Sequence, residues 1–146
     1  MTIRLHIRPA RNYQRPLAPG RGRLTYGFLV LLVIAAGLLL RSSFLSVPPF
    51  LSKYGGDALW ALMIFIGLGF VFLRAGTLTL AFCALGISFG VEFSQTYHTP
   101  WLDAVRATLP GRLILGSTFN LPDLPAYAVG IAVGAVSEVF LNRSVR

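Results

Sequence analysis

In the stretch GVEFSQTYHTPWLDAVR, Gly90 to Arg106, a carboxylate, an amide, an imidazole, a second carboxylate and a guanidinium follow seventeen uncharged residues, Ala75–Val91. Glu92 and Gln95 are three apart and share a helical face, with Ser88 one turn earlier on the same stripe. An ionised carboxylate at such depth in an apolar run must face protein or water, or take a proton. Two readings follow. The stripe is either a buried hydrogen-bond network that fixes packing, or the wall of a polar pocket. His98 adds an acid–base group, an interfacial residue or, with Asp57, Glu92, Asp103 or Asp123, a metal ligand. No recognisable ligand spacing accompanies it, so no metal and no cofactor is expected. HExxH, serine-centred and glycine-rich phosphate motifs are absent from the sequence.

Three further groups belong with these. Arg106 and Arg112 offer planar guanidinium forks suited to phosphate, although Asp103 and Arg106 are also spaced to pair with each other. In NLPDLPAY, Asn120 stands at capping distance from Asp123, a capping box with Asp in place of Glu. Asp123 also shares a face with Tyr127, Gly130 and Gly134, so it lines the same pocket if there is one. Glu138 extends that face to the opposite end, where it snorkels or pairs with Arg143 or an arginine before the first span.

The elements that must position these groups are membrane spans. Charged residues make up 12% of the 146, against about 25% in soluble domains, and 55% are hydrophobic. No charge occurs between Leu24 and Leu40 or between Ala58 and Leu73, runs close to the length of a hydrocarbon core. The expected architecture is all-α, a bundle of four transmembrane helices forming one membrane domain over 24–146. Residues 1–23 are a basic, flexible cytoplasmic tail with prolines at 9, 16 and 19. The spans fall at about Leu24–Leu40, Asp57–Leu73, Thr77–Tyr97 and Asp123–Leu141. RSSFLSVPPFLSKYGG is read as a loop lying on the outer interface. PWLDAVRATL, residues 100–109, is read as a short outer interfacial helix, capped by Thr99 and anchored by Trp101. The basic head and first apolar run imitate a signal peptide, but no small-x-small site follows at Leu40-Arg41-Ser42, which makes it a signal anchor. Cys83 is alone and forms no intrachain disulfide.

Charge sets direction. The net +8 could indicate nucleic acid, but six of thirteen basic residues (Arg4, Arg8, Arg11, Arg15, Arg21 and Arg23) immediately precede the first span, so no nucleic-acid partner is expected. With both termini cytoplasmic, those six join Arg74, Arg143 and Arg146 to give nine, against Arg41, Lys53, Arg106 and Arg112 outside. Four of the five carboxylates then lie at the outer surface. Gly86 with Gly90, and Gly130 with Gly134, are small-xxx-small pairs predicted to pack spans three and four together.

Through DALWALMIF, VEFSQTYHTPWLDAVRATLPGRLILG and DLPAYAVGIAVG, the chain resembles a bacterial inner-membrane family catalogued as domain of unknown function 2809, over residues 57–136. It is similar, more distantly, to VanZ-like proteins. In those, an acid opens one span, an E-x-x-Q pair ends the next, and an aspartate followed four residues later by asparagine starts the last. Asp57, Glu92 with Gln95, and Asp123 match that pattern. Tyr127 stands in place of the asparagine, and Trp60–Ala61 where a histidine tends to fall. The resemblance implies a bacterial inner-membrane location and the place of a site rather than its chemistry. VanZ-like proteins are associated with resistance to lipoglycopeptide antibiotics.

Four functions fit these residues. One is a pocket for an envelope lipid or other anionic amphiphile, built from Asp57, Glu92, Gln95, His98, Asp103, Arg106, Arg112, Asp123 and Tyr127. Another is a membrane-embedded hydrolase or transferase using Glu92 or Asp57 as base, for which no convincing nucleophile is present. The others are a transporter, alone or as a homo-oligomer, and a structural or assembly protein whose polar ring is only packing. Membrane lipids are the expected partners. The topology is testable in a background without Cys83. Ala107→Cys should react with an impermeant thiol reagent in intact cells, whereas Asn12→Cys should not. Labelling at position 12 would overturn the orientation.

Overall fold

The computed structural model describes residues 21–42, 45–116 and 118–144. The tail read as flexible over 1–23 lies outside them up to position 20, and the described part of it, Arg21 onward, belongs to the bundle. Among the described residues the fold is all-α: α1 Arg23–Leu40, α2 Pro49–Val71, α3 Thr77–Ser94, α4 Pro100–Ala107, α5 Leu109–Leu115 and α6 Asp123–Ser144. The helices α1, α2, α3 and α6 are long and apolar enough to cross a membrane. α2 is the hub, packed on α1, α3 and α6, while α6 also packs on α3.

The interior is small. Ala61, Phe65, Leu80, Ala84 and Ile131 are almost wholly buried, and Phe28, Leu31, Phe82, Val129 and Phe140 point outward. A surface as apolar as its core is stable only against acyl chains, and in that solvent helices gain little by hiding grease from each other. Close approach must hold them instead. Gly130 lies so near α2 that a Cβ there would collide with the Ala58 carbonyl, and one on Gly134 would come within 2.8 Å of Leu62 and 2.7 Å of Phe65.

This corrects the expected glycine packing. The pair on α6 seats against α2, not α3, and nothing lies within 4 Å of a Cβ built on Gly86 or Gly90. The reason is angular. The buried stripe of α3 is Leu80, Ala84, Ser88 and Glu92; Gly86 and Gly90 are two residues off it, about 200° round a helix of 3.6 residues per turn.

Two boundaries also differ. The second span starts at Pro49, not near Asp57, so the second half of the supposed loop is helix. Pro49 suits a first turn because its missing N–H has no partner to lose. Gly55 and Gly56, which looked like loop punctuation, are contact points: a Cβ at Gly55 would meet Leu40 at 2.9 Å, and one at Gly56 would run into the Arg41 guanidinium. The single interfacial helix is two. α4 ends at Ala107, and Thr108 starts α5 by accepting the Gly111 N–H at 3.1 Å, with Pro110 in the first turn. Thr99 precedes α4 as expected but makes no capping bond, and its hydroxyl is buried without a partner.

The glycine contacts are separable by mutation. Gly130→Ala should lower stability in detergent by about 1–3 kcal/mol through overpacking against backbone, whereas Gly86→Ala should stay within about 0.5 kcal/mol. Thermal unfolding of both variants checks this, and equal losses would sink the assignment.

Candidate functional site

The start of α2, the end of α3 and the start of α6 converge at one end of the bundle, with α5 beside them. Glu92 is 1% exposed there. Its Oε1 accepts the backbone N–H of Asn120 at 2.6 Å, and its Oε2 accepts the Tyr127 hydroxyl at 2.7 Å and the Gln95 amide at a long 3.4 Å. Both oxygens are thus engaged by protein donors from three parts of the chain. Ser88, one turn below, is fully buried with no hydrogen-bond partner for its hydroxyl.

Starting α2 at Pro49 places Lys53 and Asp57 one turn apart on the same face. Lys53 Nζ donates to Asp123 Oδ1 at 2.5 Å, crossing from α2 to α6, and the Asn120 side-chain amide donates to the same oxygen. The expected cap is therefore reversed: Asn120 gives its side-chain N–H to Asp123 and its backbone N–H to Glu92. Arg41, just past α1, donates to Asp57 Oδ1 at 2.7 Å. Asp57 Oδ2 is buried and has no partner.

These groups wall a cavity of about 310 Å³. Three cations line it, Arg41, Lys53 and Arg112, and so do three carboxylates, Asp57, Glu92 and Asp123. Gln95, Trp60, Thr118 and Tyr127 complete its polar and aromatic wall, with Trp60 and Tyr127 rings 5.6 Å apart. Gly116 closes the α5 side with a positive φ of 65°, where a Cβ would run into the Gln95 side-chain amide; a side chain there would be strained in backbone and blocked in space.

Not every expected residue joins the cavity. Arg106 is 4% exposed and donates to the carbonyls of Tyr97 at 2.9 Å and Ser94 at 2.7 Å, and to the Ser94 hydroxyl at 3.3 Å. Its guanidinium is spent on carbonyls at and just past the end of α3, that of Ser94 also accepting the Tyr97 N–H, rather than presenting a free fork to phosphate. The expected Asp103–Arg106 pair is present at 3.6 Å. His98 is largely exposed, holds Asp103 at 3.1 Å, and does not line the cavity, so Glu92 and His98 do not form an acid–base couple. Arg112 does line it, and its guanidinium has no hydrogen-bond or ion-pair partner among the described residues.

Sequence reasoning missed Lys53, Arg41, Trp60 and Asn120 as site residues. The signal for Lys53 was its spacing from Asp57, hidden by reading 41–56 as loop. At the opposite end, Arg21 pairs with Glu138, both buried, and also donates to the Ala75 carbonyl and, at 3.3 Å, to Thr77. Of the partners foreseen for Glu138, the structure selects an arginine before α1.

These features define a four-span membrane protein with a charge-balanced polar cavity at one end of its bundle. Residues 46–131 match the family described as protein of unknown function (DUF2809), and the chain belongs to that family. The match takes in every carboxylate of the cavity but not Arg41 or the Arg21–Glu138 pair. No solved structure matches the chain, and the likeness to VanZ-like proteins is not shown by the family match.

Glu92 should behave as a structural junction. Glu92→Ala leaves the Asn120 N–H and Tyr127 hydroxyl buried and unpaired, at about 1–3 kcal/mol each, while Tyr127→Phe costs about 1 kcal/mol. Unfolding in detergent should rank Glu92→Ala well below Tyr127→Phe. The opposite order would remove Glu92 from the centre of the network.

Proposed function

We propose that the protein binds a membrane amphiphile with a phosphate-bearing headgroup, the headgroup in the polar cavity and one acyl chain in the groove that leads from it. One observation carries this reading. A groove of about 100 Å³ between α1 and α2, lined by Val33, Ile34, Gly37, Leu38 and Leu59, shares Arg41, Trp60 and Leu113 with the polar cavity. A lipid has the same order of parts, charged at one end and apolar below. Arg112 supplies the cation for phosphate, since Arg41 and Lys53 already hold Asp57 and Asp123. Glu92 builds the wall rather than touching the ligand, because its oxygens are taken.

The arginine and lysine distribution supports placing the cavity at the outer face of a bacterial inner membrane, with both termini cytoplasmic. Packing alone accounts for Glu92, yet it gives no role to an exposed Arg112 over a cavity that shares lining residues with an apolar groove.

Gly37 tests the groove without touching the charges. A Cβ there meets only Leu59, at 3.9 Å, so Gly37→Leu fits at its root and fills the groove with the rest. Lipid co-purifying with the protein, counted by native mass spectrometry, should fall about tenfold in Gly37→Leu and in Arg112→Ala, with unfolding temperatures near the parent. Undiminished retention in both would reject the reading.

A further inference from the structure

We infer that the headgroup is zwitterionic, a phosphate joined to a primary amine, with Arg112 facing the phosphate and Asp57 Oδ2 accepting from the amine. This rests on the amphiphile-binding reading and specifies its ligand. The polar groups of the cavity are mostly spent on each other. Glu92 takes three protein donors, Asp123 Oδ1 takes Lys53 and Asn120, and Asp57 Oδ1 takes Arg41. Among the described residues, the groups that remain include the Arg112 guanidinium and the buried Asp57 Oδ2, neither with a hydrogen-bond partner, on two residues that line the cavity. The first demands an anionic acceptor and the second a donor, so a single ligand that satisfies both must carry phosphate and N–H or O–H together.

Charge balance chooses between amine and hydroxyl. With three cations and three carboxylates the lining is already neutral. A phosphate diester bearing only hydroxyls would leave one uncompensated negative charge beside buried groups, which is costly at the edge of a bilayer. A phosphoamine adds none. A quaternary ammonium has the same net charge but no N–H, and so leaves Asp57 Oδ2 without its hydrogen bond.

The full-length protein in detergent, offered equal amounts of phosphatidylethanolamine, phosphatidylcholine and phosphatidylglycerol with identical acyl chains, provides the test. Native mass spectrometry should show the ethanolamine lipid retained about tenfold over each of the others, equivalent to about 1.4 kcal/mol. In Asp57→Asn the carbonyl can still accept from Arg41 while an NH₂ replaces Oδ2, so the preference should vanish while lipid is still held. Should that variant fail to fold, the parent's discrimination between ethanolamine and choline decides alone. Equal retention of those two, or a preference that persists in folded Asp57→Asn, overturns the inference and leaves lipid binding standing. Retention of none of the three removes the amphiphile reading and this inference together. Soluble glycerophosphoethanolamine, added at the lipid concentration, should not displace bound lipid; displacement would assign the site to a soluble phosphoamine and overturn a lipid source.

Discussion

A carboxylate sealed inside an apolar bundle has to find its hydrogen-bond donors within the protein, and most of one end of this structure follows from how Glu92 does so. Its partners come from the residue that closes α3, from the segment that precedes α6, and from α6 itself. Satisfying that one group fixes where α3 stops, how the chain re-enters the bundle and how α6 is rotated. The cavity lies beside this junction because the remaining charges, Asp57 and Asp123, are brought to the same level by the helices it aligns. Arg106 ties down the same end from the other side, donating to the Tyr97 and Ser94 carbonyls where α3 stops.

The bundle is therefore held differently at its ends and in its middle. At one end lies the Glu92 junction; at the other, Arg21 bridges Glu138 and the turn between α2 and α3. Each of these joins segments far apart in the chain. Between them there are few polar contacts, and association depends on backbones meeting closely, as at Gly130 against Ala58. That division suits a lipid solvent. Apolar burial adds little there, whereas fit and polar satisfaction discriminate between arrangements.

Neutrality makes the cavity tolerable and also shapes what could enter it. Two of its carboxylates carry a cation each and the third is enclosed by hydrogen bonds, so the wall needs no counterion. A site arranged this way is poor at concentrating simple anions and better matched to molecules with both signs of charge. The α1–α2 groove adjoins it, and Arg41, Trp60 and Leu113 line both.

The spans were legible in the sequence because they depend on local composition: an uncharged apolar run of this length has nowhere to go but a membrane. α1, α3 and α6 fall close to their predicted places, and the stripe of Ser88, Glu92 and Gln95 is buried as helical spacing required. Composition could not tell that Gly55 and Gly56 mark a helix pressed against Arg41 and Leu40 rather than a loop. Both meanings use the same residue, and only the neighbour distinguishes them. The same holds for Gly130 and Gly134, whose partner is α2, and for Gly86 and Gly90, which have none nearby. Local spacing put Asp103 with Arg106 and Glu92 with Gln95. The pairs Lys53–Asp123, Arg41–Asp57 and Arg21–Glu138 span 16 to 117 residues, and no periodicity within a helix encodes which charges meet across such distances. The sequence alone determined that carboxylates would be buried at a membrane-spanning end. Which donors reach them, and the cavity left beside them, was decided by how the helices cross.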